Sequence, residues 1–206
     1  MLKQKKGLLQ LALALSLPFA SSLQLNVTAI GARDGASTLE CWQMDNPFDT
    51  SSTPGTSGTA VAMLSNVSTL SYSIIPSAFD GGLHNAPFAQ WVVFTSGLAY
   101  ITLPADANTS AVVPGGQFGL IFAADTKDVS REGHHTQYPG LTETITLQIP
   151  TEDGKVPQYS LLHMGPCIAN DVAGIREFSM AGGMKLDSVG QEVEVRADNL
   201  LPFHVG

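Results

Sequence analysis

Residues Gln90–Leu103 read QWVVFTSGLAYITL, and this stretch decides the fold class. Trp91-Val92-Val93-Phe94 is one apolar run, and Leu98-Ala99-Tyr100-Ile101-Thr102-Leu103 is another. Both are rich in β-branched and aromatic residues, which fit a pleated, half-buried surface. Ser96-Gly97 stands between them as a turn signal, so the stretch predicts a β-hairpin.

Working outward, similar short runs recur on both sides. Leu23–Ile30 alternates, and Leu39–Met44 is a short apolar run holding Cys41 and Trp42. Ala60–Leu64 and Leu70–Ile75 read as a strand pair. Gly119–Ala123, Thr142–Ile149 and Tyr159–His163 are further strands. Asn46–Gly58 is crowded with Ser, Thr, Pro and Gly and reads as a surface loop. Phe79–Ala89 reads as irregular, and Asp125–Gly133 as a charged, solvated loop. Strands do not alternate with helices, which excludes a parallel α/β fold. The pattern predicts an all-β chain of short antiparallel strands closing as a sandwich or jelly-roll barrel.

The composition agrees. Of 206 residues, 44% are hydrophobic and only 14% charged, with 20 Gly and 12 Pro. That excludes a disordered chain, which lacks apolar residues to bury. The formal charge of −8 excludes nucleic-acid binding by phosphate neutralisation.

Met1–Ser22 reads as a secretory signal peptide: Lys3, Lys5 and Lys6, then an apolar core from Leu8 to Ala20, then Ala20-Ser21-Ser22. The competing reading is a signal anchor. Without those three lysines the formal charge becomes about −11, which repels anionic membrane surfaces. Sequons at Asn26, Asn66 and Asn108 fit glycosylation in the secretory pathway or outside the cell, and each Asn must then be exposed. Cys41 and Cys167 would meet an oxidising compartment and either pair or remain two separate thiols. Residues 23–168 are expected to form the domain. Residues 169–206 form a C-terminal extension, with a helical turn near Asp171–Phe178 and an added strand at Gln191–Arg196.

Gly81-Gly82-Leu83-His84-Asn85-Ala86-Pro87, Gln90, Gly97 and Gly133-His134-His135-Thr136 carry a resemblance to the cupin superfamily, over roughly Asn66–Met164. The resemblance implies a small barrel with a ligand site in its lumen. Cupin metal sites use three His and one Glu. Here His84 stands at the first His, Ala86 at the second and Gln90 at the Glu, while His134 or His135 fills the last. Two imidazoles and a neutral amide make a poor transition-metal site, so no metal and no cofactor are expected. Strand alternation turns one of His134 and His135 inward, and His135 is favoured. His84 has a competing reading as a loop histidine that caps backbone.

Glu40-Cys41-Trp42, Gly119–Thr126 and the late Cys167 extend the resemblance to small secreted cupin-like proteins of filamentous fungi. The hetero-Diels–Alderases of tropolonic sesquiterpenoid pathways are similar in size and secretory route. That likeness implies a cofactor-free cyclase acting on a hydrophobic small molecule. His84, Gln90 and His135 would be catalytic. Trp91, Phe94, Tyr100, Phe122 and His134 would line the ligand site. The alternatives are a non-catalytic secreted ligand-binding or host-interaction protein, and a metal-dependent cupin enzyme. The oligomeric state stays open, with a homodimer paired through otherwise exposed sheet edges as what the cupin resemblance allows.

Overall fold

The computed structural model describes residues 23–174. The leader, the strand read at Gln191–Arg196 and most of the C-terminal extension lie outside the described residues. Thirteen strands are described: β1 (Gln24–Arg33), β2 (Ala36–Pro47), β3 (Asp49–Thr50), β4 (Ala60–Val61), β5 (Ser71–Ile75), β6 (Phe79–His84), β7 (Gln90–Ser96), β8 (Leu98–Leu103), β9 (Asp106–Pro114), β10 (Leu120–Ala123), β11 (His134–Tyr138), β12 (Thr144–Pro150) and β13 (Tyr159–Met164). Seven form one sheet in the order β13-β2-β1-β10-β7-β12-β5. Four form a second sheet, β6-β11-β8-β9, and β3 pairs with β4.

The all-β expectation holds, but neither main sheet closes into a barrel, so the architecture is a sandwich. Pairing is antiparallel except for β1 and β10, which run parallel with Thr28 beside Ile121. Two strand readings are corrected. Ala60–Leu64 and Leu70–Ile75 do not pair with each other: β4 joins β3, and β5 joins β12. Phe79–His84 is a strand despite its two glycines, because β11 supplies a ladder for it.

The stretch 90–103 is not a hairpin. β7 lies between β10 and β12 in the large sheet, whereas β8 lies between β11 and β9 in the small one. The chain changes sheet at Gly97. Ser96 still pairs with Ile145, and Leu98 already pairs with Pro114. Gly97 has φ +79°, and a Cβ there would lie 2.2 Å from Thr144 Oγ1. The same buried hydroxyl accepts a hydrogen bond from Leu98 N at 3.2 Å. Only glycine combines this backbone with so close an approach. Both strands carry the same apolar alternation, so composition alone could not tell a corner from a turn.

The main core lies between the sheets. Ile30, Leu39, Val92, Phe94, Ile121 and Ala123 come from the large sheet; Ala99, Ile101, Leu103, Ala111 and Val113 come from the small one. The two-residue period of each strand selects these side chains. A second cluster, including Val27, Trp42, Met44, Trp91 and Phe122, lies on the other face of the large sheet. Phe48 and Leu64 pack over it, and Ser65 Oγ accepts from Trp91 Nε1 at 2.9 Å. Trp42 stacks on Tyr159 with ring centroids 3.6 Å apart. The Ser/Thr-rich loop is therefore exposed at its tip, while the residues flanking it cover a core.

Glu40 sits beside this second cluster, 2% exposed. Its carboxylate accepts from Arg33 Nε at 2.8 Å, Thr38 Oγ1 at 2.8 Å and Trp42 Nε1 at 2.6 Å. Burial pushes its pKa up, but these donors and the Arg33 charge outweigh burial and hold it below the usual range. A depressed carboxylate stabilises the fold above its unfolded pKa, and that contribution is lost as pH falls through the folded value. Glu40→Gln should lower stability at pH 7 by about 1–3 kcal/mol. It should also flatten the loss of stability below about pH 4. Urea unfolding at stepped pH checks both, and matching acid limbs in the two proteins would refute the assignment.

Cys41 and Cys167 form a disulfide across a separation of 126 residues, which resolves the two-thiol alternative. It ties the segment after β13 to β2. Among the described residues, no helix is long and apolar enough to cross a membrane. Both facts are compatible with a secreted protein. Replacing both cysteines by Ala should cost about 3–5 kcal/mol in urea unfolding, with an unchanged far-UV spectrum.

Candidate active site between the sheets

A cavity of about 280 Å³ opens between the sheets. β11 directs His134, Thr136 and Tyr138 into it, and β7 directs Gln90, Val92 and Phe94. Ile30, Ile121 and Ala123 complete the apolar floor, and His84, Ala86 and Pro87 stand at the rim. Alternation along two strands of opposite sheets thus supplies six of the fourteen lining residues.

His134 is 4% exposed. Its Nδ1 lies 2.7 Å from Asp125 Oδ2, and Asp125 is fully buried. A carboxylate oxygen facing Nδ1 selects the tautomer with the proton on Nδ1, and in that neutral tautomer Nε2 carries the lone pair. Among the described residues Nε2 has no hydrogen-bond partner, and the ring lines the cavity. Asp125 Oδ2 also accepts from Ser37 Oγ at 2.7 Å. Ser37 Oγ lies 2.8 Å from Ser130 Oγ, which accepts from Gly133 N at 3.1 Å. Asn85 Nδ2 donates to the Asp125 and Ser130 carbonyls, each at 3.0 Å. The dyad is held by Ser37, Asn85 and the Ser130–Gly133 turn.

His84 faces His134 directly across the β6–β11 ladder, with ring centroids 4.5 Å apart. Its Nδ1 donates to the Gly82 carbonyl at 2.9 Å. Burial pushes its pKa down, the Gly82 carbonyl opposes this, and His134 adds to the fall. His84 is thus both a backbone cap and a cavity residue. Gln90 is 5% exposed, and among the described residues its amide has no side-chain partner. Burial pushes the Tyr138 pKa up, so its hydroxyl stays a proton-bearing donor.

Several expected site residues lie elsewhere. His135 points out of the sandwich, with Nε2 2.5 Å from Asp80 Oδ1; the inward histidine is His134. The register shift in this ladder lies on β6, where Asp80 to Leu83 spans one residue more than His135 to Gln137 opposite, and β11 itself alternates regularly. Trp91 and Phe122 belong to the second cluster on the far face of the large sheet. Tyr100 is half-buried on the outer side of β8, opposite in parity to Ala99 and Ile101. Phe94 does line the cavity.

Asp125, Ser37 and Ser130 were not singled out by the sequence, and Asp125–Gly133 is not simply a solvated loop. Asp125 carried a usable signal. It continues the inward parity of Ile121 and Ala123 one step beyond β10, so a charged residue falls on a buried face. The metal reading does not fit the donors present. Among the described lining residues, the strong donors are the two Nε2 atoms of His84 and His134; Ala86 offers none and Gln90 is a neutral amide, which falls short of the three or more donors of a transition-metal site. A second metal-type cluster, Cys41, His163 and Asp171, has its sulfur committed to the disulfide.

No protein-family model, no curated protein and no solved structure matches this chain.

The sequons differ in access. Asn66 and Asn108 are exposed, whereas Asn26 is half-buried. Asn26 Nδ2 donates to the Asp171 carbonyl at 2.6 Å, and its Oδ1 accepts from Gln43 Nε2 at 3.2 Å. A glycan replaces a proton on that same nitrogen. Glycopeptide mass spectrometry of protein from a secretory host should find glycan on Asn66 and Asn108 and none on Asn26. Full occupancy at Asn26 would contradict this packing.

Proposed function

We propose that the protein is a cofactor-free acid–base catalyst that dehydrates or cyclises a small, mostly apolar molecule between its sheets. The observation that carries this reading is the His134 Nδ1–Asp125 Oδ2 bond, which leaves Nε2 unpaired at a cavity with an apolar floor and polar walls. Nε2 accepts a proton from the substrate, and Asp125 orients the ring and stabilises the imidazolium that forms. The Gln90 amide and Tyr138 hydroxyl donate to an oxygen that gains negative charge. His84, neutral at its rim position, receives or returns a proton at the cavity mouth.

In its specific form the activity is a hetero-Diels–Alder reaction joining a tropolone quinone methide to a terpene such as a humulene. The dyad would promote the dehydration that produces the quinone methide. Holding the partners together lowers the barrier further, by up to about 7–11 kcal/mol in ideal cases. The cavity of about 280 Å³ lies at the lower limit of ligand pockets, ~300–1,000 Å³. It therefore seats one reactant, and the other must approach from the rim.

The test is product formation from a hydroxymethyl tropolone and humulene, followed by mass spectrometry. His134→Gln should lower turnover by about 10²–10⁴-fold with unchanged thermal unfolding. Gln90→Leu should lower it by about tenfold or more. Unchanged turnover in His134→Gln overturns the dyad assignment. Binding without turnover in the unsubstituted protein favours a secreted ligand carrier instead.

A further inference from the structure

A groove of about 930 Å³ adjoins the cavity and shares His84, Ala86 and Pro87 with it. Leu83 and Phe88, 54% and 58% exposed, give it an apolar side. Its other side comes from the 126–132 segment that follows Asp125.

The cations of the chain are placed unequally. Only four lysines and arginines lie among the described residues: Arg33, Lys127, Arg131 and Lys155. Arg33 is paired with Glu40, and Lys155 with Asp153. The two that form no ion pair among the described residues, Lys127 and Arg131, both line this groove. Asp128, Glu132 and Asp153 line it too; none closes an ion pair with Lys127 or Arg131, and Asp153 is paired with Lys155.

Arg131 is also held in place. Its backbone N donates to the Gly35 carbonyl at 2.9 Å, and Nη2 donates to the Asp34 carbonyl at 3.2 Å. Asp34 and Gly35 form the β1–β2 turn with φ of 53° and 78°. A Cβ on Gly35 would lie 2.5 Å from Arg131 Nη1, so the turn is shaped around the guanidinium. A guanidinium ordered in advance loses less side-chain freedom on binding an anion.

We propose that this groove recognises an anionic group, a carboxylate or an acidic enol, on a substrate whose apolar part enters the cavity. The substrate class is then an amphipathic organic acid. Two unpaired cations beside an apolar rim match that chemistry, and the acidic remainder of the surface repels it elsewhere. This inference rests on the proposed use of the cavity, and it names what the ligand must carry.

Calorimetric titration with decanoate and decanol tests it, because the probes share a chain and differ in charge. Decanoate should bind more tightly than decanol to the unsubstituted protein. In Lys127→Gln/Arg131→Gln, decanoate affinity should fall by at least about tenfold, with decanol unchanged. Lys127→Gln alone, which leaves the Asp34–Gly35 anchor intact, should give part of that loss. Added salt should weaken decanoate and spare decanol. Equal response of both probes, or no decanoate binding, overturns the inference. His134→Gln separates the two readings. If it abolishes turnover yet keeps decanoate affinity, both stand; if turnover is unaffected while Lys127 and Arg131 still govern decanoate, only the catalytic assignment fails.

Discussion

The contact of Gly97 with Thr144 is the constraint on which the sandwich depends. A chain with two adjacent β-forming runs would ordinarily fold back on itself as a ribbon. Here the Thr144 hydroxyl occupies the space a side chain would need and takes the Leu98 amide as its donor. The first run is thereby committed to one sheet and the second to the other. Val92 and Phe94 then face Ala99 and Ile101 across the core. Gln90, at the far end of β7, is carried to the edge of that core opposite β11. The cavity lies there, between polar side chains of β7 and β11.

Those polar side chains run against the economy of the rest of the interior. Asp125 is fully buried, and its Oδ1 has no partner among the described residues. An unmet acceptor of this kind costs roughly 1–3 kcal/mol. A buried charge–imidazole pair is seldom more stabilising than apolar residues of the same volume. A sandwich needing only stability would place leucine and valine at these positions. Ser37, Ser130, Asn85 and Asp125 instead spend several hydrogen bonds on the orientation of one imidazole. Such concentration of unfavourable burial is characteristic of functional sites.

Period-2 alternation made much of the fold legible. β1, β2, β7, β8, β10, β12 and β13 all fall where apolar runs predict them, and the fold class follows. Pairing was not legible, because the same alternation serves a hairpin, a sheet change or a parallel insertion. β6 was hidden by Gly81 and Gly82, whose lack of side chains removes the periodic signal. At the site, His84, Gln90 and Phe94 were readable from motif and parity. His134 was misjudged against His135 because alternation says that one of two adjacent residues faces inward and not which one. Asp125 was obscured by its neighbours: in a run with Lys127, Asp128, Arg131 and Glu132, one buried carboxylate looks like the solvated ones.

The parallel pairing of β1 with β10 bears on how the chain reaches this state. β1 lies inside the large sheet, between β2 and β10, so the N-terminal strand occupies a central place. It can build a local ribbon with β2 as soon as both are made, but its other edge stays open until residues near 121 have emerged. That edge carries Val27 and Ala29 on one face and Ile30 on the other, an apolar template with unpaired backbone groups. Long-range pairing of this kind is slow and leaves the nascent chain prone to association with other strands. The protein's yield is therefore governed by the interval between synthesis of its first strand and of its tenth, and by whatever shields that edge meanwhile.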